Sequence, residues 1–258
     1  MEKLPISACI IARNEAHQLR RCIGALSFVD EIIVLDSGSS DGTADLARSL
    51  GAKVFVEEWR GNVRQKARCT ELASHDWVLN VDADEELSAE LQQEISEFIA
   101  KSESGFSGCT LPRKTRYLGK FIEHSGWWPE HLLRLFDRRK ARWVGRDPHG
   151  HVEVEGRIFR FRQPLYHFNY ENLAHHLDKV NRYTTTLAEG LKAEGRRFRL
   201  VDALFRPPLR FLRMYLLRQG FRDGWRGFVL AVIGAFYVFL KYAKLWEHEE
   251  NSESTKPD

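Results

Sequence analysis

The sequence predicts an α/β protein with a central, mostly parallel sheet flanked by helices. Three observations predict it. Between Ile6 and Lys101, apolar runs of strand length alternate with segments of helical spacing. The runs are continuous and rich in β-branched residues, as in strands buried on both faces. The polar residues suited to chemistry fall just after those runs, at the carboxyl ends where such sheets bind ligands.

Taken in order, Ile6 to Ala12 reads as the first strand and ends in Arg13-Asn14-Glu15. Ala16 to Leu26 follows as a helix, with Leu19, Ile23 and Leu26 on one face. Glu31 to Leu35 is the second strand, and the turn-forming stretch Asp36-Ser37-Gly38-Ser39-Ser40-Asp41-Gly42-Thr43 can cap a helix over Thr43 to Leu50. Lys53 to Val56 is the third strand, Val63 to Ala73 a helix, and Trp77 to Val81 the fourth strand. The amphipathic helix Leu87 to Lys101 closes this half.

Asp82 and Asp84 come directly after the fourth strand. In an extended segment, side chains at i and i+2 project to one side, so two carboxylates at this spacing can share one divalent cation. Oxygen donors suit Mg²⁺ or Mn²⁺. Precharging the N-terminus of the next helix is the alternative. Asn14 and Glu15, Asp36 and Ser37, and Asp82 and Asp84 would all reach one edge, which favours a binding site over separate helix caps. Glu85 and Glu86 are expected to face solvent, with support of the metal site as the alternative.

The succession Ile-Ile-Ala-Arg-Asn14-Glu15, Val-Leu-Asp36-Ser-Gly-Ser-Ser-Asp41-Gly-Thr43 and Trp-Val-Leu-Asn-Val-Asp82-Ala-Asp84-Glu85 resembles the family 2 glycosyltransferases of the GT-A fold. The resemblance is close over residues 5 to about 90. It implies an inverting enzyme that takes a sugar from a nucleoside diphosphate donor, with UDP-glucose as the expected donor. It further implies that Ala12, Arg13, Asn14, Glu15, Asp36 and Ser37 hold the nucleoside, with Asp36 near the base. Asp82 and Ala83 would meet the ribose side of the donor, and Asp84, with Asp82, the metal on the diphosphate. Lys66 would face the donor, a solvated helix lysine being the alternative. A metal on the phosphates stabilises the charge that develops as the diphosphate leaves.

From Cys109 the pattern shifts to short strands: Cys109 to Arg113, Leu118 to Ile122, His131 to Phe136, Ala141 to Val144, His151 to Val154 and Arg157 to Phe161. This half is expected to carry the acceptor. Trp127 and Trp128 beside Glu130 and Arg134 join aromatic faces to charge, as sugar sites do, or form a core aromatic pair. The segment Asp147-Pro148-His149-Gly150-His151-Val152-Glu153 gathers acids and imidazoles in a loop. Inversion needs one general base, and Glu153, His149, Asp147 and Glu130 are the candidates. The series from Trp128-Pro129-Glu130 through Arg134-Leu135-Phe136 to Leu165-Tyr166-His167 resembles the subgroup that builds lipopolysaccharide inner core. That subgroup carries His-Glu where this chain has His149-Gly150, so the base stays open. His167 could reach the metal or pack in the core.

Composition bounds the rest. The 258 residues, 43% hydrophobic and 29% charged, belong to a folded chain. A net charge of +3 is unevenly spread, with acids around Asp82 and a heavily basic stretch from Arg113 to Arg226. The four cysteines, Cys9, Cys22, Cys69 and Cys109, lack metal spacing and are expected to be reduced thiols. Met-Glu-Lys-Leu-Pro lacks a signal-peptide pattern, and a cytoplasmic protein is expected. Residues 1–170 are read as the catalytic domain, 1–101 on the donor side and 102–170 on the acceptor side. Residues 171–246 are read as a helical membrane-associating region and 247–258 as a disordered tail. Asn172 to Leu191 reads as a helix, and Arg196 to Arg218 alternates basic and apolar residues around Pro207-Pro208. Gly227 to Leu240 is apolar but shorter than the ~20 residues a bilayer crossing needs. An interfacial helix on an anionic leaflet is therefore expected, a helical hairpin packed on the domain being the alternative. The expected partners are the nucleotide sugar, a lipid-linked glycan and the anionic inner-membrane surface, with no nucleic acid. Polyprenyl phosphate or another envelope glycan is the rival acceptor. A non-catalytic nucleotide-binding scaffold is the rival class.

Overall fold

The computed structural model describes residues 3–101, 105–145, 147, 150–170 and 172–253. The chain forms two compact units, residues 1–114 with 130–167, and residues 115–129 with 168–258. The segment around Trp127 thus belongs with the C-terminal helices, not with the half in which the sequence reading placed it.

The first unit is a mixed sheet with helices on both faces. Its strands are β1 (Leu4–Ala12), β2 (Val29–Asp36), β3 (Lys53–Val56), β4 (Trp77–Asn80), β5 (Glu85–Leu87), β6 (Phe106–Tyr117), β8 (Glu130–Asp137), β11 (Arg157–Arg160) and β12 (Leu165–Tyr170). The short β7 (Lys120–Phe121) pairs with the end of β6, and β9 (Ala141–Val144) and β10 (His151–Val154) form a separate antiparallel ribbon. The main order is β3-β2-β1-β4-β8-β6-β12-β5. Strands β1 to β4 are parallel, as the alternation with helices predicts, whereas β4 with β8, β8 with β6 and β12 with β5 are antiparallel. β6 and β8 follow one another without a crossover helix and so are free to run antiparallel, whereas β4 with β8 and β5 with β12 pair segments far apart in the chain.

Side-chain alternation splits the core into two layers. Ile6, Ala8 and Ile10 pack with helices α1 (Ala16–Gly24), α2 (Thr43–Ser49) and α4 (Ala89–Ala100) through Leu19, Ala47, Leu91, Ile95 and Phe98, and with Leu26 of the turn after α1. Cys9, Ile33, Leu35 and Val78 point to the other face, against Cys69 and Ala73 from helix α3 (Asn62–Glu71) and its following turn, and against Val152 of β10. All four cysteines are buried thiols. Ser88 caps α4 by accepting from the Leu91 amide at 3.1 Å. β5 and β12 are absent from the sequence reading. Each is short or flanked by charge, and pairing partners far apart in sequence decide them.

The second unit holds helices α5 (Leu173–Ala193), α6 (Leu200–Leu212) and α7 (Trp225–Glu253). Asn172 caps α5 through the His175 amide at 2.8 Å. Pro207 and Pro208 lie inside α6. Pro208 leaves the Leu204 carbonyl without its helical donor, and Leu204 is exposed, so water can take that carbonyl. The backbone then widens into a π-type turn over Arg213–Leu217. α7 outruns the expected apolar stretch at both ends. By length and composition, Trp225–Asn251 is long and apolar enough to cross a membrane. It also absorbs residues 247–253 of the expected disordered tail, while 254–258 lie outside the described residues. Trp127 packs against Tyr117, Tyr170 and His176, ring centroids 5.3–6.4 Å apart, which is the core reading of that residue.

Candidate active site

Parallel pairing in register, Ala12 beside Asp36 and Cys9 beside Asn80, brings the residues after β1, β2 and β4 to one edge of the first unit. The Ala12 carbonyl accepts from the Ser37 amide at 2.9 Å, and Gln65 of α3 donates to the Ser37 hydroxyl at 3.1 Å. Asn14 adopts a left-handed conformation, φ 58°, which asparagine tolerates better than most residues. From there its amide donates to the Ser39 hydroxyl at 2.8 Å, and its side-chain oxygen accepts from the Ser40 amide at 2.9 Å. Glu15 and Ala16 donate their amides to Thr43 and Asp41. The two loops therefore form one bonded surface. Asp36 is buried, and its carboxylate binds the Gly38 and Ser39 amides and the Ser39 hydroxyl. Its first task is to shape that loop. Arg13 is exposed beside it and Ala83 is buried.

Asp82 lies between two cations. Lys66 Nζ is 2.6 Å from Oδ1, and Arg134 Nη2 is 2.5 Å from Oδ2. Burial alone would raise the Asp82 carboxyl, but Arg134 and Lys66 outweigh it and hold the group well below the usual carboxylate range. Burial would lower Arg134, but Asp82 and Glu85 outweigh it and push the guanidinium above its ordinary value. Arg134 departs from its expected acceptor role. It is 6% exposed, and it also donates to the Asn80 side chain at 3.0 Å and to Glu85 at 2.6 Å. Lys66 is bound and not solvated. Its Nζ sits 5.8 Å from the Trp143 ring centroid.

Glu85 corrects the solvent-facing expectation. It is 0% exposed, accepts from the Asp82 amide at 3.0 Å, and has Arg113 Nη1 at 3.7 Å. Two signals in the sequence point to it. Arg134 stands in an apolar strand and must find an acid there, and Glu85 shares its strand face with the core residue Leu87. Glu86 lies nearer the surface, 3.5 Å from Arg21. β5 pairs with β12 so that Glu85 stands opposite His167. This register brings His167 Nε2 to 3.3 Å from Asp84 Oδ2. His167 is buried, while the Asp84 side chain is 22% exposed.

The base candidates separate by position. β8 runs antiparallel to β4, with Leu135 beside Leu79, so Glu130 lies beyond the carboxyl end of β4. It is exposed, and both bonds from Arg113, at 3.0 and 2.7 Å, fall on its Oε2. Asp147 accepts from the Val63 amide at 2.9 Å at the start of α3. Glu153 faces Arg142 across the β9–β10 ribbon at 2.8 Å, on the side opposite the buried Val152. His149 lies outside the described residues. Trp127 and Trp128 belong to the second unit.

Two donors, Asp84 and His167, fit a cation that keeps its remaining positions for water and phosphate oxygens. Among the described residues no cluster of three or more His, Cys, Asp or Glu side chains forms a closed metal cage. Each Asp82 oxygen already meets one cation, Lys66 or Arg134, so a metal bound there would share those oxygens with them.

Comparison with known proteins agrees with this layout. The family model described as glycosyl transferase family 2 matches residues 7–167, from β1 to the histidine beside Asp84. A lipopolysaccharide core biosynthesis glycosyltransferase, LpsC, of Rhizobium meliloti (strain 1021) is 35% identical over 257 residues, covering 95% of this chain and 93% of that protein. An uncharacterized glycosyltransferase of Rickettsia felis is 35% identical, covering 96% of this chain and 90% of its own length. Among solved structures, the mannosyltransferase PcManGT of Pyrobaculum calidifontis, in complex with GDP-Man and Mn²⁺, superposes with a TM-score of 0.56. It is 13% identical and covers 96% of this chain and 88% of that one, a likeness of fold alone. With a GT-A fold and a family match that spans every residue of the edge, the chain belongs to glycosyltransferase family 2.

Proposed function

We propose that the protein is an inverting hexosyltransferase. It moves glucose from UDP-glucose to a lipid-linked acceptor, lipopolysaccharide inner core, at the cytoplasmic face of the inner membrane. The observation that carries the donor half is the edge itself: Asp82 fixed by Lys66 and Arg134, with Asp84 3.3 Å from His167. The Ala12–Glu15 and Asp36–Ser37 loops accept the nucleoside, and Asp36 shapes the base pocket by fixing residues 37–39. Asp84 and His167 hold Mg²⁺ or Mn²⁺, which when bound neutralises the diphosphate leaving group. Lys66 and Arg134 keep Asp82 ionised and immobile, so the pair needs little reorganisation as charge develops.

For the base we assign Glu130. It stands at this edge with Oε2 held by Arg113, and among the described residues Oε1 has no protein partner. A carboxylate oriented in this way can take the acceptor hydroxyl's proton as the oxygen attacks the anomeric carbon. Asp147 is already engaged as a cap of α3, and Glu153 is paired with Arg142. The acceptor class is supported by the role in the R. meliloti relative's name and by the exposed basic and apolar helices of the second unit.

The test is transfer from radiolabelled UDP-glucose, UDP-galactose and GDP-mannose, with Mn²⁺, to inner-core lipopolysaccharide and to polyprenyl phosphate. Label in the core glycolipid from UDP-glucose is expected. Label confined to polyprenyl products would overturn the acceptor, and transfer without divalent metal would overturn the role of Asp84 and His167.

A further inference from the structure

The second unit contains a cationic groove that the transfer chemistry leaves unused. Between α6 and α7, a groove of about 260 Å³ is lined by Arg206, Arg210, Arg213 and Lys241, with Leu209 and Val238 among its apolar wall. Gly234 is the residue that lets the helices approach there. A Cβ on it would lie 2.5 Å from the Met214 sulfur and 3.9 Å from Arg210 Nε.

The cations are poorly compensated. Arg206 is 2.6 Å from Asp202, and its guanidinium lies 5.8 Å from the Tyr242 ring centroid. Lys241 Nζ lies over the same ring at 4.4 Å. Among the described residues no carboxylate is within ion-pair distance of Arg210, Arg213 or Lys241. Burial and the neighbouring Arg213 lower Arg210, and burial and Arg206 lower Lys241, which is how crowded like charges respond. Beside this groove α6 exposes Leu204, Phe205, Leu209 and Leu212 at near-helical spacing, and the π-type turn after it exposes Leu216.

We propose that this groove binds the phosphate headgroup of an anionic membrane lipid, with the apolar face of α6 lying among the acyl chains. Arginine's planar donors suit phosphate oxygens, and cations bordered by exposed leucine and phenylalanine are what an interfacial helix presents. The assignment rests on the membrane-facing part of the proposed function and is independent of the donor edge.

The full-length protein is sedimented with vesicles of phosphatidylcholine alone or doped with phosphatidylglycerol. Binding is expected only to the doped vesicles. At roughly 1 kcal/mol for each basic residue near a lipid surface, the Arg210→Gln/Arg213→Gln protein should bind about 30-fold more weakly. An Arg197→Gln/Arg222→Gln protein removes the same charge outside the groove and should lose about fivefold at most. Circular dichroism, together with a thermal shift by UDP-glucose and Mn²⁺, checks that each variant is folded. Equal losses in the two double variants, or binding that does not depend on the anionic lipid, would overturn the site. So would complete displacement from vesicles by inorganic phosphate, which marks a site for a soluble anion. Vesicle binding that persists without any thermal shift from a nucleotide sugar would sink the donor reading and leave the groove standing.

Discussion

Replacing Arg134 with methionine tests the central claim about the site, that a buried arginine and not solvent sets the charge and position of Asp82. Arg134 donates at 3.0 Å to Asn80, at 2.5 Å to Asp82 and at 2.6 Å to Glu85. Unit charges 4 Å apart interact by about 4 kcal/mol at an effective dielectric of 20, and Arg134 faces two such acids. Removing one partner of a buried ion pair typically costs 3–5 kcal/mol, because the other charge stays desolvated. Here Lys66 remains on Asp82, and Arg113 remains 3.7 Å from Glu85, so the loss should fall near the lower end, about 3 kcal/mol. That corresponds to a melting point about 10 °C lower, measured by calorimetry of the full chain. Adding Glu85→Gln to Arg134→Met should recover about half of the loss, since one stranded charge is gone. A single variant within about 1 kcal/mol of the parent would refute the reasoning. So would a double variant worse than the sum of its parts.

Four shorter predictions follow from other residues. Glu31 is held at about 2, against an ordinary 4.5, because bonds from Lys53, Ser7 and Ser74 outweigh its burial. Its contribution, up to about 3 kcal/mol, is therefore present above pH 4.5 and lost as pH falls towards 2; Glu31→Gln should flatten that stretch of the stability curve. His176 is pushed down to about 4 from 6.5 by burial first and then by Lys179, so the neutral ring is the native form. Stability from this site should be complete above pH 6.5 and fall between 6.5 and about 4, read as a pH-dependent loss of near-ultraviolet signal from the Tyr117 and Trp127 cluster. Gly61→Ala puts a Cβ 1.8 Å from an Asp147 oxygen at φ 95°, and urea unfolding should show at least about 1–2 kcal/mol lost. Glu130→Gln should lower kcat by about 10²–10⁴ with donor binding unchanged, whereas Glu153→Gln should stay near the parent rate; the reverse pattern would move the base to the β9–β10 ribbon.

What was legible in the sequence was set by local pattern. Continuous apolar strands ending in Asn14, Asp36 and Asp82 announce a parallel sheet and its edge, because strand period and chain direction are local properties. Glu85 has only weak signals in the sequence, its i+2 spacing to Leu87 and the distant Arg134. Between Asp84 and Glu86 it looks like one more surface acid, and its burial depends on Arg134, which arrives from β8 far along the chain. His167 is a similar case. Its place beside Asp84 follows from the pairing of β5 with β12, and neither strand has a strong local signature. α7 shows the opposite error. Counting uncharged residues stopped at Lys241, but a helix continues past a lysine that lies along the neighbouring Tyr242 ring.

The charges at the edge occur as a ladder and not as a simple acidic cluster. Lys66, Asp82, Arg134, Glu85, Arg113 and Glu130 follow one another through contacts of 2.5 to 3.7 Å, alternating in sign. Three cations and three acids make the ladder formally balanced, and its Lys66 and Arg134 members hold the Asp82 carboxyl well below the usual carboxylate range. Under the proposed function, Asp82 near one end would serve the donor side and Glu130 at the other end the acceptor. If Arg113 fixes Glu130 as Arg134 fixes Asp82, then Arg113→Lys, which keeps the charge but loses the paired guanidinium bonds to Oε2, should lower kcat while leaving the Michaelis constant for the donor unchanged. A rise in the donor's Michaelis constant at constant kcat would instead assign Arg113 to the donor side and remove Glu130 from the chemistry.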